Sequence, residues 1–327
     1  MVTRLTALRL RMVAAILGLV LVTAGLLGGV WVVFYALFAV FESPFAAQAA
    51  FAITAGTLLT IGYLEYTHLE TIERLADAHT VSRDDAPELY ETTTRVAAQL
   101  DVPVPTIAVS DRETPEALAV GFRPESVHLV LSLGTINALE GEQLEAVIAH
   151  ELAHVKNRDA MVMTAVSLPI VLADGLRSRI AAIEKPGWTV IIIVPLAALS
   201  SVVWVVGRTI SARLSRAREV AADRAAAEVT GSPAALADAL SRLDRTIEET
   251  PTRDLREVSG VSSLSILPLE PAELEKVMLG PEGDIEPAYW EVRRRLHRLE
   301  RWLFGTHPST EDRIAELRER QRDAESD

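Results

Sequence analysis

Apolar residues fall into unbroken blocks early and midway along the chain, and into spaced positions elsewhere. Residues 12–41 carry no charged side chain. That run exceeds the roughly 20 residues a helix needs to cross a hydrocarbon core. It is also too long for the roughly 7–15-residue apolar core of a secretory signal. A second uncharged run, 43–64, follows Glu42, with Pro44 at the turn and Tyr63 and Tyr66 where interfacial aromatics belong. The pair reads as a helical hairpin. Two further uncharged runs occupy 160–173 and 187–207. The first is short, contains Pro169 and stops at Asp174, so a buried soluble helix competes with a span there. The second has Trp188 and Trp204 near its ends and reads as a span despite Pro195 inside it.

The remaining segments alternate or repeat. Leu89, Val96, Ala97 and Leu100 share one stripe of a helix over 86–100, which Val102-Pro103 ends. Short strands are expected at 106–110, 118–122 and 127–131, around turns at 111–115 and 123–126. Residues 139–158 form a strong helix, with Leu144, Val147, Ile148, Leu152 and Val155 on its apolar face. Another helix runs from about 208 to Gly231, and Ser232-Pro233 opens the next. Five prolines between 251 and 287 mark a loop-rich stretch, and amphipathic helices at about 288–302 and 310–325 follow. The expected fold class is α+β, mainly helical, with four membrane-embedded helices and a small β-sheet. Its segments are a basic N-terminus (1–11), a transmembrane hairpin (12–64), an α+β part (65–159), a second hydrophobic hairpin (160–207) and a helical part (208–327).

Charge orients this picture. Arg4, Arg9 and Arg11 precede the first run, Arg208, Arg213, Arg216 and Arg218 follow the last, and the first hairpin loop has no Lys or Arg. By the positive-inside rule the N-terminus, the 65–158 region and the C-terminal third face the cytoplasm. Arg177, Arg179 and Lys185 in the 174–186 connection run against that count. The net charge of −13 leaves no basic face for a nucleic-acid partner. The chain contains no cysteine, so a metal would have to be held by His, Asp or Glu.

The candidate chemistry sits in the strong helix as His150-Glu151-Leu152-Ala153-His154. Histidines at i and i+4 lie on one helix face, so both can address one zinc ion. Glu151, beside the first ligand, can serve as general base. The site needs a third ligand. Glu219 and Asp223, four apart on a predicted helix, are the best candidates. Taken alone, that pair suits a solvated face ion-paired with Arg216 and Arg218 better than a metal site. For His154 and Glu219 to meet, the chain between them must cross the membrane an even number of times. His68, His79, His128 and His297 lack partners at ligand spacing. His307 reads either as part of a structural turn before Pro308 or as a donor to a developing oxyanion.

Four stretches together are specific: Pro115 to Gly121 with the following strand, Val147 to Asp159, Ser215 to Asp223, and Thr306-His307-Pro308-Ser309 with Arg313 and Leu317. In these the chain resembles the M48 family of zinc metallopeptidases, nearest to the HtpX-type membrane-bound heat-shock proteases. The resemblance implies a gluzincin-type metallopeptidase domain and one Zn2+ per chain, held by His150, His154 and Glu219, with Glu151 as catalytic base. It implies that Asp223 orients a histidine ligand and that Ala117, Leu118, Ala119, Val120 and Gly121 form an edge strand receiving an extended polypeptide substrate. Glu116, Leu118 and Val120 stand where the family commonly has Asn, Phe and Thr, which bears on subsite preference. It further implies a multi-pass protein of the cell membrane, active at the cytoplasmic face on misfolded or damaged membrane and cytosolic proteins. A maturation peptidase with narrow substrates and a non-catalytic, zinc-containing membrane scaffold are the competing expectations.

Overall fold

A computed structural model of the chain describes residues 2–69, 78–121, 124–185, 187–249 and 289–326. The chain divides into two units, one comprising residues 1–72 and 161–217, the other 73–160 and 218–327.

The first unit is helical. It contains α1 (Val2–Val40), α2 (Ala46–Leu69), most of α6 (Asp159–Ala181) and the N-terminal part of α7 (Val190–Thr230). Among the described residues, three helices are long and apolar enough to cross a membrane: Val13–Val40, Asp159–Ala181 and Gly187–Thr230. The expected fourth span has a shorter apolar stretch, Ala46–Thr60. Leu26, Val30, Leu58, Leu172, Leu176, Leu196 and Val203 pack together between these helices. Leu21, Phe51, Leu59 and Ile191 stand out from them, each at least 69% exposed. Large apolar side chains on the outside suit a segment whose solvent is lipid. The boundary expected at 207 is not a break in the backbone, since α7 continues through it to Thr230. Charge resumes at Arg208, but charged residues propagate a helix as well as apolar ones do.

The second unit carries a four-stranded sheet in the order β1-β2-β4-β3. Its strands are β1 (Ala78–Thr80), β2 (Thr106–Ser110), β3 (Ala117–Val120) and β4 (His128–Ser132). The central pair, β2 and β4, is parallel, and both edges are antiparallel. Strands β2 and β4 are buried at nearly every residue, which fits a pair covered on both faces. Strand β3 is four residues long, and the Phe122 expected in it lies outside the described residues. Beyond β3, Gly121 takes φ +150°, and a Cβ there would lie 2.8 Å from the Ser126 carbonyl oxygen. Two elements lack a counterpart in the sequence reading: β1 and the short helix α4 (Leu133–Ala138). Helix α4 is capped by the Ser132 hydroxyl, which accepts from the Thr135 N–H.

Helix α3 (Pro87–Leu100) ends where expected, with Asp101 in the left-handed conformation and the Val102 N–H donating to the Ala97 carbonyl. Helix α5 (Glu142–Lys156) is the centre of this unit and packs against α3, β3 and α8 (Pro233–Glu249). Every residue from Ala146 to Ala153 is buried, so the helix is covered all round and its polar members need partners. Helix α8 in turn packs on α10 (Thr310–Ser326). The loop-rich stretch expected after 249 lies outside the described residues. Beyond it comes α9 (Trp290–Phe304).

Candidate metal centre

Helix α5 presents His150 and His154 one turn apart, their Nε2 atoms 3.2 Å from one another. Helix α7 brings Glu219 to both: one carboxylate oxygen lies 3.6 Å from His150 Nε2, the other 3.5 Å from His154 Nε2. One ligand atom from each of the three residues falls within 4.8 Å of the others. Three donors about 2.0–2.1 Å from one tetrahedral ion stand about 3.4 Å apart. The observed spacings match that edge. Glu219 Oε2 is buried with no hydrogen-bond partner among the described residues. A buried carboxylate with one oxygen beside His150 Nε2 and the other beside His154 Nε2 fits a cation, and two nitrogens with one oxygen suit zinc.

Both histidines are backed by carboxylates. His150 Nδ1 lies 2.9 Å from Asp223 Oδ1. Asp223 accepts two hydrogen bonds from the Arg313 guanidinium, from Nε at 2.8 Å and Nη2 at 2.6 Å. Arg313 is 2% exposed, and its Nη1 also lies 3.6 Å from Glu219. Ser309 caps α10 by accepting from the Asp312 N–H, which fixes the turn that presents Arg313. His154 Nδ1 lies 2.6 Å from Asp159 Oδ2. Asp159, 2% exposed, pairs with Arg218 Nε at 3.0 Å. Arg158 takes φ +55° just past the end of α5, and this left-handed residue turns the chain so that Asp159 returns to His154.

The sequence reading places Asp223 near the site and names Arg313 only as part of a motif; it pairs Arg218 with Glu219 and Asp223, whereas Arg218 meets Asp159, whose place beside His154 it does not foresee. The available signal for Asp159 was an acid five residues after His154, just past a helix end. His307 lies at the site as well. Its side chain is 5% exposed, its Nδ1 is 3.5 Å from Glu219 Oε2, and neither ring nitrogen has a hydrogen-bond partner among the described residues. His79, His128 and His297 lie on β1, β4 and α9.

Glu151 points from α5 to the edge strand, where its Oε2 accepts from the Ala119 N–H at 3.1 Å. Burial pushes its carboxyl above the ordinary range, while His150 and His154 pull the other way. Burial opposes a proton on His150, but the carboxylates of Asp223 and Glu219 outweigh it and hold that ring up at about 9. Along β3, Ala117 and Leu118 are buried whereas Ala119 and Val120 are half-exposed. Glu116 turns into the sheet support instead. Both of its carboxylate oxygens accept from Arg112 Nη1 at 3.2 Å, and its N–H donates to Ser132 Oγ. Burial raises the Glu116 carboxyl against the pull of Arg112.

The profile of Peptidase family M48 matches residues 83–321. Protease HtpX homolog 2 of Methanosarcina acetivorans is 33% identical over 259 residues, covering 75% of this chain and 76% of that protein. Protease HtpX homolog 1 of Streptomyces coelicolor is 34% identical and covers 72% of each. The Protease HtpX homolog of Moorella thermoacetica is 34% identical and covers 76% of this chain and 77% of that protein. Among solved structures, S. mikatae Ste24p matches with a TM-score of 0.49 at 16% identity, over 89% of this chain and 62% of that one.

Proposed function

This chain belongs to peptidase family M48, and from that premise we propose that it is a multi-pass, zinc-dependent membrane endopeptidase whose active site faces the cytoplasm. The observation that carries the reading is the convergence of His150, His154 and Glu219 within 4.8 Å, with the buried Glu151 carboxylate next to them.

His150 and His154 offer Nε2 and Glu219 its carboxylate to the metal, while Asp223 and Asp159 fix the ring orientations through the two Nδ1 atoms. Zinc, when bound, supplies a Lewis acid for the scissile carbonyl and acidifies water. Glu151 takes the proton of the attacking water and delivers it to the leaving amide nitrogen. Its raised proton affinity suits a group that must both accept and donate. A peptide adds to the free edge of β3 along Ala117–Gly121, so backbone hydrogen bonds supply affinity for many sequences. His307 donates to the developing oxyanion. Sequence-tolerant binding suits damaged or misfolded membrane and cytosolic proteins as substrates, whereas a maturation peptidase would need deeper side-chain discrimination than Ala119 and Val120 supply.

The test is zinc content and chelator-sensitive casein cleavage of the detergent-purified chain. The wild type is expected to hold one zinc and to cleave. Glu219→Ala should lose the metal. Glu151→Gln should keep it while losing roughly 10²–10⁴-fold in rate. Retained cleavage by Glu151→Gln would refute the assigned base. Bound zinc without cleavage by the wild type would favour a scaffold.

A further inference from the structure

Two helices of the second unit have similar amphipathic patterns and opposite fates. Helix α8 buries its apolar stripe: Leu236 and Leu240 are 0% exposed and Leu243 is 1% exposed. Helix α9 leaves Val292, Leu296 and Leu299 at 53%, 58% and 50% exposed. These three stand at i, i+4 and i+7, hence on one face. None of the residues of α9 is buried. The rest of α9 is basic, with five arginines between 293 and 301 against Glu291 and Glu300, in a chain whose net charge is −13. All five arginines are exposed.

We propose that α9 is a membrane-surface helix, which lays Val292, Leu296 and Leu299 into the headgroup boundary of a bilayer and sets its arginines on anionic phospholipid. An apolar face beside arginines on an otherwise acidic protein is the charge pattern that anionic lipid selects. The long arginine stems let charged heads reach phosphate while their methylenes cover the apolar face. Chain connectivity supplies proximity: α6 and α7 both run out of the second unit into the apolar one, so α9 is tethered to a bilayer. A second copy of this chain is a poorer occupant, because a symmetric contact would set these arginines against their own copies. The inference rests on the membrane part of that reading and is independent of the peptidase chemistry.

The absence of cysteine from the chain allows unique labelling. Leu299→Cys and Arg294→Cys, about 140° apart around the helix, each carry a nitroxide on the full chain. The chains are reconstituted in nanodiscs of phosphatidylcholine alone and of phosphatidylcholine mixed with phosphatidylglycerol. The label at 299 should gain oxygen accessibility severalfold over an aqueous relaxant when phosphatidylglycerol is present, while that at 294 stays in water. A label at Leu296→Cys, one turn away, should repeat the result at 299. Changing Arg293, Arg294 and Arg298 together to Gln should lower the bound-to-free ratio roughly a hundredfold, at roughly fivefold per basic residue. Three outcomes overturn the proposal. One is a label at 299 in water in both lipids. Another is a label equally shielded in both, which would assign the face to residues 250–288. The third is dipolar broadening that scales with labelled copies, which would assign it to self-association.

Discussion

The two histidines of the centre occupy adjacent turns of one helix and are held in unlike ways. His150 is wholly buried, and its Asp223 is clamped by Arg313 from 90 residues further along the chain. His154 keeps 15% of its side chain exposed, and its Asp159 lies five residues away beyond a single left-handed residue. One arm closes only when the C-terminal helix docks. The other needs little more than the end of α5 and one arginine from α7. Holding a ligand pair by one distant and one local carboxylate makes completion of the centre report on docking of α10, because Arg313 touches both Asp223 and Glu219.

The sharpest way to break this contrast is Arg313→Met. It strands two buried carboxylates, and loss of one partner from a buried ion pair costs about 3–5 kcal/mol. A thermal melt should show that loss, whereas Arg218→Met, at a more exposed pair, should show a smaller one. Next come the carboxylates themselves. Loss of an outer partner of a ligating histidine costs roughly 10–100-fold in metal affinity. Zinc titration should place Asp223→Asn near the upper end and Asp159→Asn near the lower. Equal losses would mean that burial does not separate the arms.

The pH dependence sharpens the same point. His150 is held up at about 9 by Asp223 and Glu219 against its burial. In the metal-free chain the histidine's contribution to stability is therefore complete below about pH 6.5 and lost as pH rises through about 9. A metal ion bound at that ring would have to displace the proton, so apparent zinc affinity should climb by about tenfold per pH unit up to about pH 9. In Asp223→Asn the plateau should arrive at lower pH. The smallest effect belongs to a control away from the centre. Arg95, paired with Glu145 and 47% exposed in its side chain, should cost only about 0.2–1 kcal/mol on mutation to Ala.

The difference between the arms also explains what the sequence disclosed. His150, Glu151 and His154 were legible because one helix fixes their mutual positions and spacing is enough to read them. Glu219 was ambiguous on spacing, since Arg216 and Arg218 beside it look like a solvated face. Its role depends on α7 meeting α5, a tertiary fact. Asp159 was overlooked because its use depends on one residue, Arg158, taking a left-handed conformation that non-glycine residues rarely adopt. The helices α3 and α5 follow from periodicity, and the start of α8 from Ser232-Pro233. Strand β1 is three residues long and exists through its pairing with β2, a contact no local pattern announces. The hydropathy change at 207 suggested an end that the backbone of α7 does not have.

Glu151 and the strand beside it have a further implication. The Ala119 N–H that holds the carboxylate belongs to the same four-residue strand whose register is set by the ladder to β4. Tool and workpiece are thus referenced to one datum. On the proposed reading, a peptide laid along β3 would inherit its alignment from the peptide units that also locate Glu151. Glu151 itself belongs to α5, so a shift of β3 against that helix is felt first at the Ala119–Glu151 hydrogen bond.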